Sequence, residues 1–387
     1  MKTGLTINTN ATNSKNTDPL KVSYLSSLTP LRGIAALWVV LFHIDVSTYY
    51  RDLGGILPRA ATGIFSKGYL WVDFFFLLSG FIIYHVYGQL FKENGYSIQN
   101  IKSFLWSRFT RLYPLHFFTL ILLIITVPII GKTYPQLQDD SWHLYFSNTA
   151  LFSQFFMTNA MNFYHFLSWN MPSWSIGAEW WTYCFAILVL PIIGHSKRYL
   201  IYIKLFVLFG CISLLVNFHP NHNLDITWDY GFIRCIFQFF IGINLYLLFQ
   251  MNWNNNILQK DITCILLFVF ISIGFHYKIH DLVFIPLFSL FLLAVAYNNS
   301  SIKSILEKRY IKYLGDISYS IYLMHGLVFF FFWFQFPSWK QNYGWDRLPS
   351  NLYLLYIITF LSITVLLSAL SHRYIEVGCR NLLRKLK

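Results

Sequence analysis

LRGIAALWVVLFHIDV, residues 31–46, is an apolar run interrupted by two basic side chains, Arg32 and His43. Read as a helix at 100° per residue, the eleven steps between them bring both side chains to within about 20° of each other, roughly 16 Å apart along the axis. One helix face thus carries a cation at one end and an imidazole about half a bilayer further on. Ionisable groups at that depth are costly and rare in membrane spans, and by default they point to a function.

The rest of the chain has a membrane composition. Of 387 residues, 56% are apolar, 20% aromatic and only 12% charged, about half the charge of an ordinary soluble domain. A water-soluble fold is excluded. Apolar stretches of about twenty residues predict an all-α, polytopic membrane protein with about ten transmembrane helices. They fall at approximately 31–50, 68–91, 112–131, 174–194, 199–217, 229–250, 261–277, 280–298, 314–336 and 352–374. With the N-terminus inside, 20 loop Lys and Arg residues lie on that side and 7 on the other. Since the cation bias sets orientation, both termini are expected in the cytoplasm. The net charge of +13 follows from this topology, so membrane lipids are expected as neighbours and nucleic acid is not expected as a partner.

Residues 1–27 are polar and lack an apolar h-region, so they are expected to form a disordered cytoplasmic tail and not a cleaved signal peptide. A single transmembrane domain is expected over 28–380 and a short basic cytoplasmic tail over 381–387, with no soluble domain appended. The five cysteines are odd in number and lack CxxC spacing, so neither a disulfide framework nor a thiolate metal site is expected. His219 and His222 form an isolated HxxH in a loop, read as solvated and not as a metal site.

Further polar groups share the depth of His43. Asp73 lies five residues into the second span in GYLWVDFFFLLSGF, Glu179 early in the fourth in PSWSIGAEWWTY, and His325 about eleven residues into the ninth in GDISYSIYLMH; Ser79 sits nearer the middle of the second. Each has a plainer reading. The histidines can be interhelical hydrogen-bonding residues, Asp73 can complement a helix N-terminus, and Glu179 can pair with an arginine. In SRFTRLYPLH, Arg108 and Arg111 are spaced i, i+3 on one face just before the third span. They suit bidentate phosphate recognition or serve as ordinary inner-side anchors. A ligand with a polyanionic head and a long flexible arm, the shape of an acyl-coenzyme A, could bind its head among these cations and extend its reactive end to His43. A proton-coupled transporter would also place Asp, Glu and His inside the bilayer.

Taken together, these segments resemble the transmembrane acyltransferase family 3, integral-membrane enzymes that typically modify bacterial surface polysaccharides. The resemblance rests on the Arg-x10-His of Arg32 and His43, GxxxVDxFFxLSGF from Gly68 to Phe81, and RxxRLxP from Arg108 to Pro114. It continues through PSWSIGAEWWTY from Pro172 to Tyr183, GxxSYxIYLxH from Gly315 to His325 and RYIE from Arg373 to Glu376, so that it spans roughly 28–380. Each motif alone is weak; their joint order is specific.

The resemblance implies a ten-helix membrane domain in the bacterial inner (plasma) membrane. It implies transfer of an acyl group, commonly acetyl, from cytoplasmic acyl-coenzyme A (acetyl-CoA) to a hydroxyl of a glycan or lipid-linked glycan. His43 would be the catalytic histidine, Arg32 its motif partner on the donor side, and Arg108 and Arg111 the donor-side arginines. Glu179 or Asp73 would hold the imidazole while it acts as general base. Trp174, Ser175, Tyr319 and His325 are expected as acceptor-side or supporting residues, and the aromatic outer loop at about 132–172 as a further acceptor contact. Family members often have a Pro where this chain has Gly378, which leaves the turn there open. Many carry an extra extracytoplasmic domain, and a stand-alone enzyme is expected here. A lipid, peptide or secreted metabolite remains an alternative acceptor.

Overall fold

A computed structural model of the chain describes residues 25–94, 97–193 and 197–385. The expected tail lies outside them as far as residue 24, as do residues 386–387. Among the described residues all regular elements are helical. A helix occupies each of the ten expected places: α1 Leu28–Tyr49, α2 Trp71–Asn94, α3 Ile98–Thr133, α4 Ser173–Ile193, α5 Arg198–Phe218, α6 Gly231–Gln250, α7 Asp261–His276, α8 Phe284–Tyr297, α9 Ser318–Tyr343 and α10 Ser350–Ser371. Among the described residues, seven helical segments, those built on α1, α2, α3, α5, α6, α9 and α10, are long and apolar enough to cross a bilayer. The helices α7 and α8 are apolar but shorter.

Two boundaries differ from expectation. The α3 helix starts fourteen residues before the apolar window, because Ser97 caps it by accepting from Gln99 N–H (3.2 Å) and because neighbouring helices let membrane helices tolerate internal prolines such as Pro114. Arg108 and Arg111 therefore sit well inside a helix, not at its mouth. At the other end the chain does not turn at Gly378. It continues from α10 through a π-helical segment, His372–Val377, into Gly378–Arg384.

Within the 132–172 stretch some aromatic residues are packed, while Tyr134, Phe152, Phe156 and Phe163 stay exposed. Trp142 meets Phe334 (4.9 Å between ring centroids), Tyr145 meets Phe330 (5.0 Å), and Phe146 meets both Trp169 (5.6 Å) and Phe330 (5.1 Å). Asp139 caps the short helix Asp140–Tyr145 and accepts from Arg51 (2.7 Å). Burial alone would raise the Asp139 carboxyl, but hydrogen bonds from Ser141 and Arg51 outweigh it and hold the group below its ordinary value.

Glycine sets the tightest helix contacts. A Cβ on Gly80 of α2 would stand 1.9 Å from the Phe239 carbonyl oxygen of α6, and one on Gly242 of α6 would stand 2.0 Å from that of Leu77. The two backbones touch, which is how small residues associate helices in a bilayer. Gly80→Val or Gly242→Val is therefore expected to cost more than about 3 kcal/mol, above ordinary overpacking, because the obstacle is main chain. Loss of a monodisperse peak in fluorescence-detected size-exclusion chromatography would register it; an unchanged profile would disprove the contact. A second close approach, Gly315 against the Thr29 carbonyl (2.2 Å from a built Cβ), seats the short helix Arg309–Asp316 beside the start of α1 and hence beside Arg32.

Candidate active site

Five helices, α1, α2, α3, α4 and α9, bring polar residues to one cavity. Ser175, Glu179 and Tyr183 recur every fourth residue on α4 and so share a face; all three line the space, with Ser79 from α2, Arg108 and Arg111 from α3, and Arg32 from α1. Glu179 accepts from Ser79 Oγ (2.5 Å) and from the Tyr183 hydroxyl, and Ser79 and Tyr183 also meet at 2.8 Å. Arg108 donates to Tyr87 (3.3 Å) and Ser107 (3.1 Å). The Nε groups of Arg32 and Arg108 are buried without an acceptor among the described residues. Such donors are costly to leave unmet, and an anionic ligand would meet them.

A second space adjoins the first. It shares Arg32, Ile82 and Arg111 with it and adds His372, Glu376 and Arg380. Arginines line both spaces, Arg32 and Arg111 in common. Glu376 is itself held by Ser320 (3.0 Å) and His372 (3.0 Å).

His43 lies deeper. Its Nδ1 is 2.9 Å from the Val39 carbonyl oxygen and 3.2 Å from His325 Nε2, while His325 Nδ1 is 3.2 Å from the Ile321 carbonyl oxygen. Carbonyl oxygens only accept, so each ring carries its proton on Nδ1. His43 Nδ1–H is then shared between Val39 O and the lone pair of His325 Nε2, and His43 Nε2 is left as the nitrogen with an open lone pair and no hydrogen-bond partner among the described residues. Tyr322 connects this pair to the cavity. It lines that space, hydrogen-bonds Ser175 Oγ (2.7 Å) and packs against His325 at 5.7 Å between ring centroids.

The carboxylates expected beside His43 are engaged elsewhere. Glu179 belongs to the arginine cavity. Asp73 faces α6, where Arg234 grips it through Nε (2.8 Å) and a terminal nitrogen (2.6 Å), and Gln238 donates to it as well. Arg234 is 1% exposed and Asp73 is fully buried. Trp174 belongs to that group too, with the Arg234 guanidinium 5.5 Å from its ring centroid. Tyr319 lines the cavity and donates its hydroxyl hydrogen to the Leu112 carbonyl. The place expected for a carboxylate next to His43 is taken by His325. Arg234 carries one usable signal in the sequence: an arginine inside an apolar span demands a buried carboxylate.

The family profile described as "Acyltransferase domain" matches residues 25–373. A Staphylococcus aureus (strain COL) protein, whose name assigns it provisionally to the O-acetyltransferases, is 26% identical over 93% of this chain and 58% of its own length. The peptidoglycan O-acetyltransferase OatA of Listeria monocytogenes is 24% identical over 80% of this chain and 50% of its own. The acyltransferase MdmB of Streptomyces mycarofaciens is 30% identical over 42% of this chain and 38% of its own. The chain thus spans between about two fifths and three fifths of the length of these relatives. No solved structure gives a significant match.

Proposed function

We propose, from the premise that this chain belongs to the acyltransferase-domain family and is a multi-pass membrane acyltransferase, that it moves an acyl group, acetyl foremost, from acyl-coenzyme A to a hydroxyl of a surface glycan. Both termini then lie in the cytoplasm of a bacterial inner membrane. The donor's phosphates sit among Arg32, Arg108 and Arg111, and its thioester reaches towards His43. The names of the Listeria and Staphylococcus relatives support O-acetyl transfer, and the first of them a glycan acceptor.

One observation carries the reading: the hydrogen bonds of His43 leave Nε2 bare and aim Nδ1–H at His325. In the reaction the acceptor hydroxyl attacks the thioester carbonyl as His43 Nε2 takes its proton. The tetrahedral intermediate collapses, the carbon–sulfur bond breaks, and the thiolate leaves with that proton. The positive charge held meanwhile on His43 strengthens its Nδ1–H bonds to Val39 and His325.

Purified protein in liposomes, supplied with radiolabelled acetyl-CoA and a panel of bacterial glycans, is expected to form labelled acetyl esters on a saccharide hydroxyl. Ester formation on lipids or peptides alone would overturn the glycan assignment. Rapid quenching without acceptor separates direct transfer, in which no label stays on protein, from a covalent acyl-histidine relay. Replacing both Arg108 and Arg111 by alanine removes charge-assisted bonds, each worth about 1.5–3 kcal/mol, so the donor KM is expected to rise at least about tenfold with little change in acceptor KM. A defect confined to acceptor KM would refute their donor role.

A further inference from the structure

At the end of the bundle away from the arginine cavity, α1 runs out at Tyr49 and the chain turns back through Asp52 (φ 57°) and Gly54 (φ 89°), both in the left-handed region. The turn is tied down from below. The buried Asp45 carboxylate accepts from Ile56 N–H (2.9 Å) and Arg59 Nε (2.8 Å), and the Arg59 guanidinium lies 3.7 Å from the Tyr49 ring centroid and 5.3 Å from that of Tyr50. Leu348 N–H donates to the Leu53 carbonyl (3.1 Å), joining this turn to the segment after α9. Gly54 matters because a Cβ there would stand 2.7 Å from Arg347 Nε. Between the two segments lies an open surface pocket lined by Tyr49, Tyr50, Asp52, Gly54, Asp346 and Arg347.

We infer that this pocket is a docking subsite for an uncharged saccharide, the acceptor chain whose hydroxyl is acylated. The inference rests on the reading under Proposed function and adds the place where the acceptor is held. Three observations carry it. First, Tyr49 and Tyr50 keep 43% and 62% of their surface exposed while Arg59 holds their rings; fixed, wet aromatic faces bind ligands that are apolar on one side and hydroxylated at the rim. Second, the polar groups are mixed. Asp52 and Asp346 accept and Arg347 donates, and with Lys340 standing 3.8 Å from Asp52 two cations balance two carboxylates, so neither a polyanion nor a metal ion is favoured and a polyol is.

Third, the pocket stands on the stripe of α1 that carries His43. Seven residues separate His43 from Tyr50, which returns the side chain to within about 20° of the same face, roughly 10.5 Å further along the axis. Along that stripe accessibility rises from the half-buried His43 and Val46 to the exposed Tyr50, while Ile44, Asp45, Ser47 and Thr48 beside it are buried. A sugar chain seated at Tyr50 can send one end down this stripe to His43 Nε2.

The test compares acceptor and donor kinetics in the liposome assay, with neutral hexose, N-acetylhexosamine and uronate-containing oligosaccharides as acceptors. For the saccharide used best, Tyr50→Ala and Asp346→Asn are each expected to raise the acceptor KM about tenfold, equal to about 1.4 kcal/mol, with donor KM moving less than about twofold. Tyr50→Phe, which keeps the ring, is expected to restore the acceptor KM. A saccharide acylated by wild type whose KM is unmoved by both substitutions, or a donor KM that moves in parallel, overturns the subsite and leaves the glycan reading intact. A wild-type protein that acylates other hydroxyls but no saccharide overturns both.

Discussion

His43→Ala is expected to lower acyl transfer by about 10²–10⁴-fold, the range over which a positioned general base assists proton transfer, while the protein remains monodisperse in detergent. The companion variant His325→Ala removes one acceptor of the His43 Nδ1–H and leaves the Val39 carbonyl to orient the ring. Its loss is expected to be smaller, up to about tenfold, in keeping with one hydrogen bond. The double variant should be no worse than His43→Ala alone, since groups that act as a unit are non-additive. Transfer by His43→Ala at near wild-type rate would remove this histidine from the chemistry. Additive losses in the double variant would separate the two rings functionally.

The second large effect concerns stability. Arg234 and Asp73 form a bidentate pair that is shut away from solvent, and Gln238 and the Ile226 carbonyl complete its hydrogen bonds. Arg234→Gln leaves a buried carboxylate without its cation, and breaking such a pair typically costs about 3–5 kcal/mol. A marked fall in Tm for detergent-solubilised protein is expected. Replacing both residues with leucines, which removes the unpaired charge as well, is expected to recover much of that loss. If Asp73 instead acted in catalysis, the double variant would be stable and inactive; retained activity in it assigns Asp73 to structure. Equal Tm values for Arg234→Gln and wild type would show that the pair does not hold the α2–α6 contact together.

Hydropathy located a helix at each of the ten places because twenty apolar residues in a row have few other outlets. The depth of the polar groups was legible for the same reason, since counting residues along a span measures height. Azimuth was not legible. Nothing in GYLWVDFFFLLSGF says whether Asp73 looks towards α1 or towards α6, and only the packed bundle turns it to Arg234. The His43–His325 contact likewise joins residues 282 positions apart through the packing of α1 on α9, which no local pattern encodes. Arg108 and Arg111 were placed on one helical face by their spacing, but the apolar window hid that the helix begins well before them. Of the aromatic residues of 132–172 that offered a sugar surface in the sequence, Trp142, Tyr145 and Phe146 are taken up in packing against α9, while Tyr134, Phe152, Phe156 and Phe163 remain exposed. The tyrosines at the end of α1 looked unremarkable until the fold set them beside Asp346 and Arg347.

The glycine crossing of α2 and α6 bears on how such a bundle breathes. Where carbonyl oxygen abuts α-carbon there is no rotamer to yield, so these two helices are a keel that travels as one piece. Widening to admit a long, flexible arm is expected on the α9 side of the cavity, since α9 meets α10 through rings such as Phe332 against Tyr356 and Phe360, surfaces that can slide. Spin labels on α2 and α6 should report one narrow distance with or without donor, and labels on α9 and α2 a distribution that broadens.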